Sequence, residues 1–341
     1  MRTLHSTRTL RRHARGVTLI ELMVAVAIGA FLMIGAMNVF MQSRTTFRIN
    51  QSVGRLQENA RFVLATLEPD IRMASYYGLE TRGSRIAGRA KITAANGIGP
   101  GLCGNNWAID LDNPLVGTNA QYLWACAPAA NTGGYRAGTD TLLVRRASED
   151  AIAPAALVAN TLYIQSSRAQ QGQLFVGTVV PAGSPASSQS FQLIANGYYV
   201  ANRSPNLGAK GTTIPSLRRR MLQQGNTIVD QEVLAGVEDF QVELGVDTDV
   251  PGAANRGSID RYINADDPVI NPASPGYNPN AVILSVRIWL RLRAEDPENG
   301  FSDTTNYVYA GVNYTPAAAE QPFRRLLISK TIYLRDMRPM S

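Results

Sequence analysis

The segment "RGVTLIELMVAVAIGAF", residues 15–31, carries a carboxylate near the start of a long apolar run. From Val17 to Met41 the chain has 25 residues, and Glu21 is the only charged one. A helix of that length can span the hydrocarbon core of a bilayer, which is roughly 30 Å thick. A carboxylate inside such a helix costs at least a few kcal/mol, so its presence indicates a function.

A basic region precedes this run, and the combination has three interpretations. The first is a secretory signal cleaved at Ala25–Val26–Ala27, a small-residue site that here lies inside the apolar run. The second is a permanent membrane anchor with its arginines in the cytoplasm. The third is cleavage between Gly16 and Val17, which leaves a hydrophobic N-terminus. The basic residues of the leader are Arg2, Arg8, Arg11, Arg12 and Arg15.

Glu21 favours the third interpretation, because neither a signal nor a plain anchor needs a carboxylate there. After cleavage Val17 would carry a free ammonium group, and Glu21 would be the fifth residue. When apolar helices bundle, this carboxylate can pair with the Val17 ammonium of a neighbouring subunit. Pairing relieves the cost of burying both charges. The sequence therefore predicts that Glu21 is an assembly residue.

The stretch "RGVTLIELMVAVAIG" resembles the class III signal of type IV pilins and pseudopilins. The resemblance implies that a prepilin peptidase cleaves after Gly16 on the cytoplasmic face and methylates the new N-terminus at Val17. It also implies that Glu21 is the glutamate used in assembly. Val17 departs from the phenylalanine that the family usually has at this position.

The composition restricts the chemistry of the chain. The net charge of +7 arises mostly in the leader, which holds five of the 33 basic residues and none of the 26 acidic ones. We therefore expect no nucleic-acid partner. Both histidines, His5 and His13, lie in the leader, so the processed chain has no imidazole. This excludes His-dependent nucleophilic catalysis and His-ligated metals. We expect no enzyme activity, no cofactor and no metal site.

Cys103 and Cys126 are the two cysteines of the chain. In an exported protein, a pair in a loop-rich segment is most simply a disulfide. Closing that loop would stabilise the fold by about 3 kcal/mol on the chain-entropy model. The alternative is two free, buried thiols.

The apolar run continues into an amphipathic helix. Apolar residues recur at spacings of three and four, which predicts one helix from Leu19 to Tyr77 with a kink or restart near Glu68–Pro69. The residues of this face are Ile49, Val53, Leu56, Ala60, Val63, Leu67 and Ile71.

Strand patterns follow from residue 141 onward. Alternation of apolar and polar residues is clearest in 240–246, 282–292 and 326–334, which predicts mainly antiparallel sheet. Residues 94–138 and 247–280 are predicted loops. Further predicted strands are 141–147, 157–165, 173–180, 190–195, 197–202 and 227–235. The predicted fold class is α+β and type IV pilin-like, with a long N-terminal helix and a mainly antiparallel β head.

Segments of the head resemble PilW-type minor pilins, and Leu79 departs from the cysteine of many relatives. The resemblance implies a minor pilin that primes type IV pilus assembly at the filament tip. The implied partners are a prepilin peptidase, other minor pilins, the major pilin and the inner-membrane assembly platform. The segments that carry the resemblance are "LQENARFVLATLEPDIRMASYYG" (56–78), "GTDTLLVRRA" (138–147), "YYVANRS" (198–204), "SLRRRML" (216–222) and "VEDFQVELGVDTD" (237–249).

Together these arguments predict four regions. Residues 1–16 are a leader, 17–41 a transmembrane and filament-core helix, 42–77 its amphipathic continuation, and 78–341 a periplasmic head. The predicted location is the inner membrane as a single-pass protein, then the pilus after assembly. Two other functions remain open. One is a large minor pseudopilin of a type II secretion system, and the other is a membrane-anchored periplasmic binding protein or enzyme.

Three clusters in the head have both a functional and a structural interpretation. Carboxylates crowd one loop and could bind calcium, but solvated turn aspartates are the commoner case. The run Arg218–Arg220 could contact DNA or an acidic partner, but a short solvated run near a turn is the favoured interpretation. The aromatic residues could be adhesive, but we expect them to pack. The carboxylates are Asp247, Asp249, Asp260, Asp266 and Asp267, and the aromatic residues are Trp107, Trp124, Tyr198 and Tyr199.

Overall fold

The computed structural model describes residues 16–90, 103–104, 106–223 and 227–335. The chain forms two compact units, Met1–Val53 and Gly54–Ser341, whose boundary falls within the first helix. Residues 1–15, 91–102, 105, 224–226 and 336–341 lie outside the described residues, so the predicted leader is described only at Gly16 and the predicted 94–138 loop only in part. The predicted division at residues 16, 41 and 77 stays a prediction.

Helix α1 spans Leu19–Arg72 and passes through Pro69 without a restart. Proline lacks the N–H that would bond to the carbonyl of Ala65, but the helix ends three residues later, so few bonds are affected. The predicted end at Tyr77 was wrong. A turn begins after Arg72, and Ser75 takes a positive φ of 70° that no helical residue adopts.

The apolar face of α1 is confirmed for the part of the helix in the second unit. Leu56, Ala60, Val63, Leu67 and Ile71 are buried, and they pack in one core cluster with residues of both main sheets. The contributions of the sheets include Val144, Tyr198, Phe240, Val242 and Ile288. The core of the head therefore forms between this helix face and the two sheets.

The first sheet has eight strands. Its order is β1-β5-β4-β6-β3-β2, with β7 on β6 and β8 on β7. Every pairing is antiparallel except that of β1 with β5. The strands are β1 Ile86–Ala87, β2 Leu115–Thr118, β3 Thr141–Ala147, β4 Leu162–Ser166, β5 Gly172–Val176, β6 Gln189–Ala201, β7 Ser216–Gln223 and β8 Thr227–Ala235.

The remaining strands form a four-stranded sheet and a hairpin. They are β9 Val237–Asp247, β10 Arg261–Asn264, β11 Val282–Arg293, β12 Tyr307–Tyr309, β13 Val312–Tyr314 and β14 Arg325–Tyr333. The sheet order is β10-β9-β11-β14, and β12 pairs with β13. All these pairings are antiparallel. The predicted α+β fold with a mainly antiparallel β head is confirmed.

The strand predictions failed where polar or small residues interrupt a strand. The predicted strands 190–195 and 197–202 are one strand, β6. Position 197, inside β6, requires glycine because a Cβ there would come within 2.6 Å of the Trp124 ring. The strand predictions missed six strands, which are short or, in β7, rich in arginine: β1, β2, β7, β10, β12 and β13.

Candidate functional site

The residues predicted for processing and assembly lie at the start of α1. Gly16 and Val17 precede the helix, and Thr18 occupies the N-cap position before Leu19. The Thr18 N–H and hydroxyl both donate to Glu21 Oε2 at 2.9 Å. In return, the Glu21 N–H donates to the Thr18 hydroxyl oxygen at 3.3 Å. This reciprocal arrangement is a capping box.

The capping box gives Glu21 a structural role that the sequence interpretation missed. It satisfies two backbone donors that a helix N-terminus otherwise leaves without acceptors. The pattern Thr-x-x-Glu before an apolar run was the signal that could have revealed it. The other carboxylate oxygen, Oε1, accepts no hydrogen bond from the described residues, so it is available to a cation outside this chain.

The helix that follows exposes its apolar side chains on every face. Leu19 is 78% exposed and Phe31 is 79% exposed, and no residue from Leu19 to Met41 is buried. Within the part of the chain that the structure describes, α1 is the one helix long and apolar enough to cross a membrane. A contiguous apolar surface of this size indicates contact with lipid or with other apolar helices.

The structure contains the predicted disulfide between Cys103 and Cys126. It closes the segment that leads into β3, and Tyr122 donates its hydroxyl to the carbonyl of Cys126 at 2.7 Å. The bridge therefore fixes a loop that also carries aromatic residues. Burial raises the pKa of Tyr122, so its hydroxyl stays protonated and able to donate.

Three of the four aromatic residues pack together, as expected from the sequence, whereas Tyr198 lies in the core cluster with α1. Trp107, Tyr198 and Tyr199 are buried, and the half-buried Trp124 meets Trp107 edge-to-face with ring centroids 5.9 Å apart. Trp124 also contacts Tyr199 at 6.1 Å. These rings anchor the disulfide loop on β6, and the adhesive interpretation has no exposed tryptophan face to support it.

The interpretation of Arg218–Arg220 as a solvated run was wrong. The three residues lie in β7, where alternate side chains point to opposite faces. Arg218 and Arg220 are buried, and Arg218 Nε lies 2.8 Å from Asp230 Oδ1 on the neighbouring strand β8. Glu232 lies 3.4 Å from Arg218. The acids two residues apart in β8 were the signal for a cross-strand pairing with these arginines.

The crowded aspartates separate into two sets. Oxygens of Asp247, Asp249 and Asp260 lie within 4.8 Å of one another, whereas Asp266 and Asp267 are outside this group. Asp247 accepts the N–H groups of Asp249 and Gly257. Asp260 accepts the N–H and hydroxyl of Thr248, which lower its pKa.

Carboxylate oxygens of this kind suit calcium, but such ions need six to eight oxygen ligands. Three of the six carboxylate oxygens of the trio, both of Asp247 and Oδ2 of Asp260, accept backbone N–H groups that fold the loop. The arrangement explains the loop conformation, and the predicted absence of a metal site stays a prediction.

A buried carboxylate that the sequence interpretation missed joins α1 to the first sheet. Asp70 Oδ1 accepts from Arg146 Nε at 2.9 Å. Its Oδ2 accepts from Asn196 at 2.6 Å and from the Tyr198 hydroxyl at 2.5 Å. Burial and the adjacent carboxylate raise the pKa of Tyr198, so the phenol remains a donor. Asp70 follows Leu67 by three residues on the apolar face, and this position was the signal in the sequence.

A second buried acid organises the outer face of the four-stranded sheet. Glu238 is fully buried and accepts from both Nε and Nη2 of Arg325 at 2.8 and 3.0 Å. Arg291 Nε donates to it at 3.1 Å, and Arg293 Nε lies 3.5 Å away. Burial raises the pKa of Glu238, but the bonds and charge of Arg325 outweigh burial and the net pKa is lowered.

Asp140 connects the two sheets without a cation. It directly precedes β3, and its N–H donates to the carbonyl of Phe240 in β9 at 2.8 Å. Its carboxylate accepts the N–H of Val242 at 2.7 Å and that of Ala120 at 2.9 Å. Burial raises the pKa of Asp140 to about 7, and the negative charges of Asp239 and Asp266 add to this effect.

Comparisons with known proteins match both ends of the chain. The family described as type IV pilus-assembly protein W, PilW, matches residues 197–336. The prokaryotic N-terminal methylation motif matches residues 11–37, which include Gly16, Val17 and Glu21. Comparison with curated protein sequences gave no match.

Among solved structures, a type IV-like pilin from Thermus thermophilus is similar to 84% of this chain. All of that chain is covered, with 12% sequence identity and a TM-score of 0.35.

The two matched segments place the methylation motif on the apolar start of α1 and the PilW domain on the part of the head from β6 to the end of β14. Together, the two matches support a type IV pilin of the PilW type.

Proposed function

We propose that the chain is a minor pilin that primes type IV pilus assembly from the inner membrane and occupies the filament tip. It is made as a prepilin, cleaved between Gly16 and Val17 by a prepilin peptidase, and methylated at Val17. The PilW match and the methylation motif support this proposal. Other minor pilins, the major pilin and the assembly platform are the proposed partners.

The observation that carries the proposal is the chemistry of Glu21. Its carboxylate is fixed at the first turn of α1 by Thr18, with one oxygen left for a cation. Cleavage before Val17 creates an ammonium group one turn away along the chain. Within one subunit this ammonium is tethered near its own glutamate, but in a bundle each carboxylate can also meet the ammonium of a neighbour.

The apolar part of α1 supplies the contact surface for the proposed assembly. In the membrane its exposed side chains contact lipid, and in the filament they contact the same surface of other helices. Burial of apolar area therefore changes little between the two states. The paired charges then decide which register of helices is favoured, because a lone buried charge is costly.

The chain acts in this proposal as a substrate of the peptidase and as a structural subunit, with no enzyme activity of its own. The pilin family supports a structural role. No histidine follows His13 in the sequence, so general-base schemes that use imidazole are excluded from the processed chain.

Processing is tested by the intact mass and N-terminal sequence of the membrane-extracted protein, with and without an active prepilin peptidase. We expect an N-methylated start at Val17 only with the peptidase. Gly16→Asp should block cleavage because it changes the residue at the proposed cut, whereas Gly29→Ala changes a residue thirteen positions further along the helix and should not. A start at Met1 in every case would contradict the proposal.

The role of the Glu21 charge is tested by Glu21→Gln. Glutamine can replace glutamate in a capping box, so the helix start is preserved while the charge is lost. We expect the Gln variant to be processed and inserted but to be absent from sheared pili. Thr18→Val breaks the box and keeps the charge, so it should retain incorporation. Incorporation of the Gln variant at the level of the parent would show that the carboxylate acts only as a cap.

A further inference from the structure

Two arginines and two phenylalanines follow the end of the apolar run on one face of α1. Arg44 and Arg48 are four residues apart, and Phe40 and Phe47 lie four and three residues from Arg44. Residues at these spacings share one face of a helix. All four side chains are exposed. We call these four residues the basic–aromatic patch.

The direction of the arginine side chains is set by the helix. Cα–Cβ bonds tilt toward the N-terminus of a helix, so Arg44 extends back toward the apolar run. Its guanidinium carbon lies 5.4 Å from the centroid of the Phe40 ring. Among the described residues, no carboxylate forms an ion pair with Arg44 or Arg48, whereas many arginines of the head are paired.

The length of the apolar run places the patch at one membrane surface. The helical part from Leu19 to Met41 is roughly 33 Å long at 1.5 Å per residue, slightly more than a hydrocarbon core of roughly 30 Å. Arg44 therefore reaches the headgroup layer on the side opposite the basic leader. There the long arginine side chain can keep its charge among the phosphates while its methylene groups contact acyl chains.

We propose that the basic–aromatic patch binds the phosphate groups of anionic phospholipids in the periplasmic leaflet. The inference rests on the proposed function, because it requires the apolar run to span the membrane. Guanidinium groups bind phosphate through paired hydrogen bonds, and the two phenyl rings face the acyl boundary. The arginines complement the negative charge of lipid phosphate, and the patch directly continues the apolar run. Both features select lipid phosphate as the ligand of the patch.

Leader cleavage gives the patch a further consequence. Before cleavage, five leader arginines lie at the cytoplasmic surface of the membrane and keep the leader on that side. Cleavage after Gly16 removes all five, so Arg44 and Arg48 become the basic side chains nearest to the apolar run. The patch then supplies the electrostatic attraction between the processed helix and the periplasmic surface of the bilayer. Extraction into a filament must break these phosphate contacts.

The test measures how deeply the helix sits at the periplasmic surface. The full chain with Gln51→Cys carries a nitroxide at this exposed position, since Cys103 and Cys126 are already bonded to each other. It is reconstituted in bicelles of phosphatidylcholine, or with phosphatidylglycerol replacing a third of that lipid. We expect several-fold lower access of an aqueous nickel chelate with phosphatidylglycerol, and about 0.5 M sodium chloride should reverse the effect by screening.

Matched variants separate the patch from general charge. Arg44→Gln with Arg48→Gln should abolish the difference between the lipids. Arg55→Gln with Arg61→Gln removes the same charge from exposed positions at least fourteen residues beyond Met41, and it should leave the difference unchanged. Equal nickel access in both lipids, or equal effects of the two double variants, would overturn the inference.

A second label distinguishes failure of the patch from failure of the proposed function. A nitroxide at Val26→Cys should be accessible to oxygen and protected from the nickel chelate when the helix is inserted. If that label is protected but residue 51 shows no lipid dependence, only the patch is refuted. If Val26 is open to nickel, the membrane-spanning state fails and the patch fails with it.

Discussion

Replacing Asp70 with alanine should destabilise the head far more than any change at the surface of α1. Asp70 is 5% exposed, and its two oxygens accept from Arg146, Asn196 and Tyr198. The substitution removes the common acceptor and leaves three buried or partly buried donors without it. Asp70 also lies in the last turn of α1, where the helix dipole disfavours an anion, so its partners must supply the stabilisation.

The magnitude follows from the kind of contact that is lost. Removing one partner of a buried ion pair costs about 3–5 kcal/mol, because the remaining charge stays buried and unpaired. A hydrogen bond to a charged group contributes about 1.5–3 kcal/mol, which is the expected cost of Tyr198→Phe alone. The double variant Asp70→Ala with Tyr198→Phe should lose less unfolding free energy than the two single variants summed, since both changes remove the same bond.

Glu68→Ala is the matched control, since Glu68 lies two residues earlier on α1 and pairs with Lys330 at 2.5 Å at the surface. A surface pair of this kind contributes at most about 1 kcal/mol. The assay is urea unfolding of the detergent-solubilised chain, followed by the fluorescence of the three tryptophans, all of which lie in the head. If Asp70→Ala shifts the unfolding free energy no more than Glu68→Ala does, the anchoring role of Asp70 is refuted.

Three further predictions use the same assay. The pKa of Asp140 is raised from its usual 3.8 to about 7 in the folded chain. The stabilising contribution of Asp140 is therefore full below about pH 4 and is lost as the pH rises through 7, a loss of about 4 kcal/mol. Asp140→Asn should remove this pH-dependent loss. Reduction of Cys103–Cys126, which closes a loop with a sequence separation of 23, should cost about 3 kcal/mol in the parent and nothing in the double serine variant. Glu238→Gln should cost about 3–5 kcal/mol, because three arginines lose their common acid, whereas Glu298→Gln at the surface should cost at most about 1 kcal/mol. The Asp140 argument is contradicted if Asp140→Asn leaves the pH profile of stability unchanged. The disulfide argument is contradicted if the reductant also destabilises the serine variant, and the Glu238 argument if both glutamate variants cost the same.

The sequence was most informative where periodicity is long and uninterrupted. The spacing of Leu56, Ala60, Val63 and Leu67 defines one face of α1, and that face is buried as expected. The alternation of β9 and β11 was equally clear, because one face of that sheet meets the core. In such segments the burial pattern is set locally, and the sequence records it directly.

The sequence was less informative where polar residues are buried by pairing across distant segments. Arg218 and Arg220 look solvated in isolation, but they meet Asp230 on the strand that follows in the sheet. Glu238 and Arg325 are even farther apart in sequence. A charge pattern does not show which distant residue will pair with a charged side chain, so the sequence interpretation placed Arg218 and Arg220 at the surface.

The first turn of α1 shows how one glutamate can serve both before and after assembly. Val17 and Glu21 are separated by about 6 Å along a helix axis, so in the proposed membrane state the carboxylate lies within one turn of the surface. The capping box already satisfies the N–H groups of Thr18 and Glu21, while those of Leu19 and Ile20 have no acceptor among the described residues. Unsatisfied donors are costly in hydrocarbon, so this turn favours the headgroup layer until another chain supplies acceptors. The carboxylate therefore becomes costly only when the helix is drawn into an apolar bundle, and there the Val17 ammonium of a neighbouring subunit can pair with it. In the proposed assembly, the charge would therefore oppose unregistered helix contacts and stabilise the registered one.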